Sequence, residues 1–290
     1  MCHNGHPMLE KGRLLISCPD RPGIVAAVSR FLYEQGANIV HSDQHSTDAT
    51  GGIFFMRVEF QLSDLLENET AIKTGFAPLA SDFSMQWRLS IASRLKRLAI
   101  FVSKKEHGLL ELLWRKRAGD LLADMVMVIS NHPDLEPIAR AEGIPFHFIP
   151  VDPKEKGKAE AEQIKRMQGK IDLVVLARYM QIVTPYFIAH CSNVINIHHS
   201  FLPAFAGGNP YLQAYERGVK LIGATAHYVT EMLDAGPIIE QDIERVNHRY
   251  DVAELTRIGQ QIERRVLARA VIWHTEDRIL VYGNKTIVFA

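Results

Sequence analysis

The sequence predicts an α/β fold in two domains: a small module over about residues 10–91, then a larger, mostly parallel sheet over about 96–290. Three observations predict it. The chain has 290 residues, more than one ordinary core requires. Hydrophobic residues make up 47% and charged residues 23%, the balance of a globular protein and not of a disordered or fibrous one. The apolar rhythm changes near Lys96, from short strands and a glycine turn to continuous apolar runs separated by helical stretches.

In the first domain, RLLISC at 13–18 is a short apolar strand. Asp20, Arg21, Pro22 and Gly23 lead into a helix, with Asp20 as its cap and Pro22 tolerated in the first turn. Ile24, Val25, Val28, Phe31 and Leu32 recur on one face at the helical period, and Gly36 ends the helix. Strands follow at 38–45 and 53–60, joined by Thr50, Gly51 and Gly52 as a hairpin turn. A helix over 63–79 and a strand over 84–89 complete the order βαββαβ, the ferredoxin-like plan. Residues 91–96 form a short linker that runs into Arg94, Lys96 and Arg97.

The second domain starts with LAIFV at 98–102, a fully apolar strand, and an amphipathic helix to about Arg117. Strands at 125–129 and 146–149 flank a helix near 135–142, and a charged helix covers 156–168. LVVLA at 173–177 and VINI at 194–197 are further buried strands, with 184–190 between them. Two more strands, at 221–228 and 238–243, are open to an antiparallel arrangement. A long helix over 252–274 turns Val252, Leu255, Ile258, Ile262, Val266 and Val271 inward.

Charge and cysteine content exclude several function classes. Thirty-three basic residues balance 33 acidic ones, which argues against a broad grip on nucleic acid or an anionic membrane. Cys2, Cys18 and Cys191 are far apart and form no CxxC pair, so reduced cytoplasmic thiols are expected. Neither a signal peptide nor an 18-residue apolar span is expected. The 13 histidines concentrate in the N-terminal tail and between His190 and His248 without zinc-site spacing, so no metal is expected.

In an open α/β sheet, ligands bind beyond the carboxyl ends of the strands. The first strand of the second domain leads into Ser103, Lys104, Lys105, Glu106 and His107, which is neither a GxGxxG turn nor a P-loop. Asn196 and His198 alternate with apolar residues at the end of a later strand, so they project to one side. An amide donor beside an imidazole suits binding a carbonyl oxygen and moving a proton; the bland alternative is a strand with polar end residues. Asp234, in a Gly/Pro turn, reads on its own as a turn former, and His227 and His248 as supporting or structural residues.

Together these residues carry a family resemblance. Asn196-x-His198-x-Ser200-x-Leu202-Pro203, followed some 30 residues later by Leu233-Asp234-x-Gly236-Pro237-Ile238, resembles the formyltransferase family that uses 10-formyltetrahydrofolate. The strand end Leu176-Ala177-Arg178-Tyr179-Met180-Gln181-Ile182 resembles that family's folate-pocket segment, and the likeness runs from about Arg97 to Tyr282. It implies a Rossmann-like catalytic domain, with Asn196, His198 and Asp234 as the catalytic trio. Met180, Gln181, Ile182, Val183, Thr230 and Glu231 would then contact the folate.

Cys18-Pro19-Asp20-Arg21-Pro22-Gly23-Ile24-Val25, with Gly36-Ala37-Asn38-Ile39, resembles an ACT domain, a small ligand-sensing module that pairs across subunits. This implies a homo-oligomer and a small amino-acid effector at Asp20, Gly23, Asn38 and Ile39, where the plainer role of Asp20 is a helix cap. The two modules in one chain imply the branch that hydrolyses 10-formyltetrahydrofolate to formate and tetrahydrofolate, in one-carbon metabolism and formate supply for purine synthesis. The folate is then substrate, and no cofactor is implied. Family members acting on glycinamide ribonucleotide carry a glycine-rich loop after the first strand to hold its phosphate; without that cradle, water is the natural acceptor. Formyl transfer to an amine and a non-catalytic folate or amino-acid sensor are the alternatives. The pattern Gly207-Gly208-Asn209-Pro210-Tyr211 matches the branch, but Leu212 stands where it usually has His.

Overall fold

The computed structural model describes residues 9–48, 50–203 and 210–290. Cys2, the N-terminal histidines, Ala204, Phe205, Gly207, Gly208 and Asn209 lie outside the described residues. The chain forms two compact units. One holds the residues up to Leu95 together with Glu276–Leu280 and Ile287–Ala290; the other holds Lys96–Thr275 and Val281–Thr286.

The first unit contains β1 (Leu9–Pro19), α1 (Ile24–Glu34), β2 (Asn38–Ser46), β3 (Ile53–Ser63), α2 (Leu65–Asp82) and β4 (Gln86–Ile91). The strands pair antiparallel in the order β2-β3-β1-β4. Alternate residues of the sheet, Leu14, Ile16, Met56, Val58 and Phe60, share a core with Val28, Leu32, Ile72 and Phe76 of the helices. Burying each such side chain contributes roughly 1.5–3 kcal/mol, which fixes the strand register.

Two local expectations are corrected here. Asp20 does not cap α1. The helix starts later, after Gly23, whose left-handed φ of 97° turns the chain inward, and the Asp20 carboxylate accepts the Ser46 hydroxyl at 2.5 Å. Val25 is exposed, because the buried stripe runs through Ile24, Val28 and Leu32 at four-residue spacing.

Within this unit, Arg57 is 4% exposed. It donates from Nε to the Asp277 carbonyl at 3.0 Å, and from Nη2 to Glu59 at 3.0 Å and the Glu276 carbonyl at 3.1 Å. Glu59 also receives Lys11 Nζ at 2.9 Å and Arg13 Nε at 3.2 Å. Burial pushes the Glu59 carboxyl up, but the ammonium of Lys11 and the guanidinium of Arg57 outweigh it and bring it to about 2.

The second unit is built on β5 (Lys96–Val102), β6 (Ala123–Ser130), β7 (Phe146–Phe148), β8 (Leu173–Leu176), β9 (Val194–His198), β10 (Leu221–Tyr228) and β11 (Ile238–Arg245). Their order is β11-β10-β9-β8-β5-β6-β7. Pairs from β9 to β7 are parallel, and β10 runs antiparallel to both β9 and β11. Its helices are α3 (His107–Ala118), α4 (Glu136–Ala141), α5 (Lys156–Met167), α6 (Pro185–Ala189), α7 (Pro210–Glu216) and α8 (Val252–Thr275).

Helix α8 packs on β9, β10 and β11 and against α3 and α7. On the other face, Ala159 and Met167 of α5 and Phe187 of α6 meet Phe101, Ile129, Val174 and Leu176. Burial on both faces explains the unbroken apolar runs of β5 and β8. Beyond the expected elements, the chain adds α7 and a terminal hairpin of β12 (Ile279–Tyr282) and β13 (Lys285–Val288). Among the described residues, no helix is long and apolar enough to cross a membrane.

Candidate active site

From β5 the chain winds one way through β6 and β7, then returns to the other side of β5 as β8 and β9. Ligand crevices form where strand order reverses, beyond the carboxyl ends of the strands. The ends of β8 and β9 and the loop after β10 enclose such a crevice, a cavity of about 350 Å³, within the usual range of small-molecule sites.

Asn196 and His198 both line it, as their two-residue spacing requires. In the β9–β10 ladder Asn196 stands opposite His227, and His198 opposite Thr225. The loop after β10 then brings Asp234 back over the strand ends. A β-carbon at Gly236 would meet the Tyr228 carbonyl oxygen at 1.9 Å, so the return requires glycine. Asp234 itself has a left-handed φ of 52°, a conformation that side-chain-bearing residues adopt mainly at special sites.

His198 Nδ1 lies 3.2 Å from Asp234 Oδ2, and His227 Nε2 lies 3.6 Å from Asp234 Oδ1. The Tyr228 carbonyl holds His227 Nδ1 at 2.9 Å, which turns Nε2 toward Asn196 Nδ2 at 3.3 Å. The imidazoles of His198 and then His227 beside it outweigh burial and hold the Asp234 carboxyl far below the usual carboxylate range. His198 Nε2 is buried and has no partner among the described residues. The structure thus joins the three sequence-predicted catalytic residues and adds His227 as their support. His248 is exposed, elsewhere on the chain.

The expected folate contacts line the same cavity: Met180, Gln181, Ile182 and Val183 on one side, Thr230 and Glu231 on the other. Met180 and Ile182 are 55% and 61% exposed, so they are not core residues. With the exposed Leu233 they form an apolar rim, the surface a flat heterocycle needs. The segment is pinned from below. The Met180 N–H donates to Ser103 Oγ at 3.0 Å, and the buried Glu160 accepts the Thr184 N–H at 2.9 Å. In the first unit, Asp20 and Gly23 lie in the β1–α1 turn, and Asn38 and Ile39 open β2 opposite Gln61 and Phe60. Leu212, on α7, is 42% exposed and does not line the cavity.

Sequence reasoning missed a second buried polar cluster beside the first. Glu263 of α8 is 1% exposed and receives Tyr211 Oη on Oε1 at 2.6 Å. Its Oε2 faces His107 Nε2 at 2.8 Å and Arg178 Nε at 3.4 Å. The signal was available: Glu263 interrupts the inward stripe of Gly259, Ile262 and Val266, where a charge needs a partner. His199 lies between the clusters, its ring centroid 4.9 Å from that of His198 and 6.5 Å from that of Tyr211.

Residues 96–271 match the formyl transferase family, and residues 12–74 match the ACT domain. A protein of Bacillus subtilis named formyltetrahydrofolate deformylase is 56% identical over 282 residues, covering 97% of this chain and 94% of its own. The crystal structure of a formyltetrahydrofolate deformylase from Pseudomonas syringae superposes with a TM-score of 0.91 at 47% identity, covering 99% of this chain and 96% of that one. Glycinamide ribonucleotide transformylase 1 from Symbiobacterium toebii superposes at 0.64 with 31% identity, covering 70% of this chain and 98% of its own.

Proposed function

The chain belongs to the formyl transferase family, and on that premise we propose that it hydrolyses 10-formyltetrahydrofolate to formate and tetrahydrofolate. The full-length match to formyltetrahydrofolate deformylases favours hydrolysis over transfer. The observation that carries the mechanism is the state of His198: Nδ1 against Asp234, Nε2 buried with no partner among the described residues. An imidazole so oriented takes a proton at Nε2 from the water that attacks the formyl carbon. It then delivers that proton to the departing arylamine nitrogen. Asn196 supports the oxyanion formed between the two steps.

Asp234 orients His198 and stabilises its charged form. Its Oδ2 is turned to His198 Nδ1 at 3.2 Å, so it serves here as the orienter of that ring. The pterin lies between Met180, Gln181, Ile182 and Val183 on one side and Thr230 and Glu231 on the other. Proton transfer and oxyanion support suffice for this amide hydrolysis, so neither cofactor nor metal is needed.

The likeness to ACT domains supports a homo-oligomer joined through the first domain. It also supports tuning of activity by a small amino acid near Asp20, Gly23, Asn38 and Ile39. The protein works in the cytoplasm, with nucleic acid and membrane as non-partners. The decisive experiment incubates it with 10-formyltetrahydrofolate and no added acceptor. Stoichiometric formate is expected, and its absence would overturn the hydrolase reading.

A further inference from the structure

The parallel sheet that here faces a hydrolytic site also serves, at 31% identity, a glycinamide ribonucleotide transformylase. Side chains, and not the fold, must therefore choose the acceptor of the formyl group. In this chain the exposed apolar side chains of Met180, Ile182 and Leu233 wall the folate side of the cavity. With folate seated there, an acceptor larger than water needs another way to the formyl carbon. Arg178 and His199 line the cavity too.

Beyond His199 lies a second cavity of about 190 Å³, which His199 and Tyr211 also line, and a polar cluster stands between the two cavities. Arg178 faces Glu263 Oε2, which His107 Nε2 also meets at 2.8 Å, and the Tyr211 hydroxyl fills Oε1 at 2.6 Å. His107 stands at the start of α3. Tyr211 is packed so closely on α8 that a β-carbon at Gly259 would lie 2.1 Å from its hydroxyl. Burial, then the charge of Arg178, brings His199 down to about 4, so it is a neutral ring beside a fixed cation.

We infer that the Glu263–His107–Tyr211–Arg178 cluster, with His199 against it, is a plug that closes the acceptor side of the cavity and so fixes water as the formyl acceptor. This rests on the hydrolase reading and names the residues that enforce it. With the plug opened, a small primary amine reaches the formyl carbon. A new bond forms from the amine nitrogen to that carbon as the bond to the arylamine nitrogen breaks. The proton lost by the amine passes through His198 to the departing nitrogen, so no further reagent is consumed.

The test uses the full chain, 10-formyltetrahydrofolate and glycinamide, and measures N-formylglycinamide and formate together. The wild type should give formate alone at every glycinamide concentration. Tyr211→Ala and Arg178→Gly should each raise the ratio of N-formylglycinamide to formate to at least tenfold above the detection limit, while Tyr211→Phe, which keeps the ring, gives formate alone like the wild type. Arg178→Gly suits its position, because the backbone there is left-handed at φ 65°. The ratio separates the plug from a merely structural role, since damage to the whole site lowers both products together. Thermal melting and folate binding identify folded variants, and if Tyr211→Ala does not fold, Arg178→Gly decides alone. Folded variants that still give only formate, or a wild type that formylates glycinamide, would overturn the plug. A wild type that releases no formate without glycinamide overturns the hydrolase reading instead.

Discussion

In the first unit, Arg57 directs its guanidinium to Glu59 and to two backbone carbonyls, and Glu59 answers with Lys11 and Arg13 as further partners. In the second unit, His198 is about as deeply buried, with Asp234 at 3.2 Å from its Nδ1 and at 3.6 Å from His227 Nε2, yet His198 Nε2 stays without a partner among the described residues. Both clusters take charge out of water, which is costly unless each group is paired. The first returns that cost as stability. The second leaves one buried atom of a cavity-lining residue without a partner among the described residues. Burial of charge alone therefore does not mark a functional site; His198 differs in joining an unpartnered buried nitrogen to the Asp234–His227 cluster.

Variants test this contrast directly. His198→Ala should cost about 10³–10⁴-fold in kcat, the upper range for general acid–base catalysis, with folate affinity and melting temperature nearly unchanged. Asn196→Ala should cost about 10²–10³-fold, as for loss of one oxyanion donor, again with little change in binding. Steady-state kinetics beside folate titration checks both, and parallel losses of kcat and affinity would count against the assignment. Arg57→Met should behave in the opposite way. It should lose about 2–4 kcal/mol in urea unfolding, somewhat less than a fully broken buried pair because Lys11 and Arg13 still neutralise Glu59, and keep its kcat within about twofold.

Acid should separate the two units. His199 in the folded protein takes up its proton only at about 4, whereas an unfolded histidine does so near 6.5. Its contribution is therefore complete above 6.5 and lost as pH falls from there to 4. Glu59 titrates at about 2 in the folded protein and near ~4.3 when unfolded. Its contribution is complete above the unfolded value and lost only as pH falls toward 2. The second unit should thus soften first. Trp87 reports on the first unit, and Trp114 and Trp273 on the second. Single-tryptophan variants followed by fluorescence through an acid titration check the order, and His199→Gln should flatten the second unit's response between 6.5 and 4. The smallest effect belongs to the rim. Met180→Ser should raise KM about 5–10-fold and leave the melting temperature in place, because an exposed side chain contributes to binding and not to the core.

Much of this was legible in the sequence, for a physical reason. Strands β5 and β8 are buried on both faces, so their apolar runs have no competing interpretation. Asn196 and His198 sit two residues apart on one strand, and that spacing alone places them together. Asp20 misled because a cap depends on backbone torsion, and Gly23 moved the helix start beyond its reach. Helix α7 is too short for periodicity to reveal. The terminal hairpin did carry a signal in Gly283 and Asn284, a two-residue turn of the favoured type. The Glu263 cluster is assembled from α3, α7, α8 and the end of β8, a meeting that no local pattern encodes.

The placement of Asn196 opposite His227 in the β9–β10 ladder has a consequence for how the enzyme matures. The two residues are 31 positions apart in the chain, so their strands meet only after a sizeable loop has closed. Pairings of that kind form slowly compared with local helices. A slip of one residue would turn Asn196 and His198 away from the cavity while leaving most of the sheet in place. On the proposed mechanism, turnover is thus a gauge of strand register. On refolding from denaturant it should return later than the helical circular dichroism signal, at the moment when these two strands find their correct alignment.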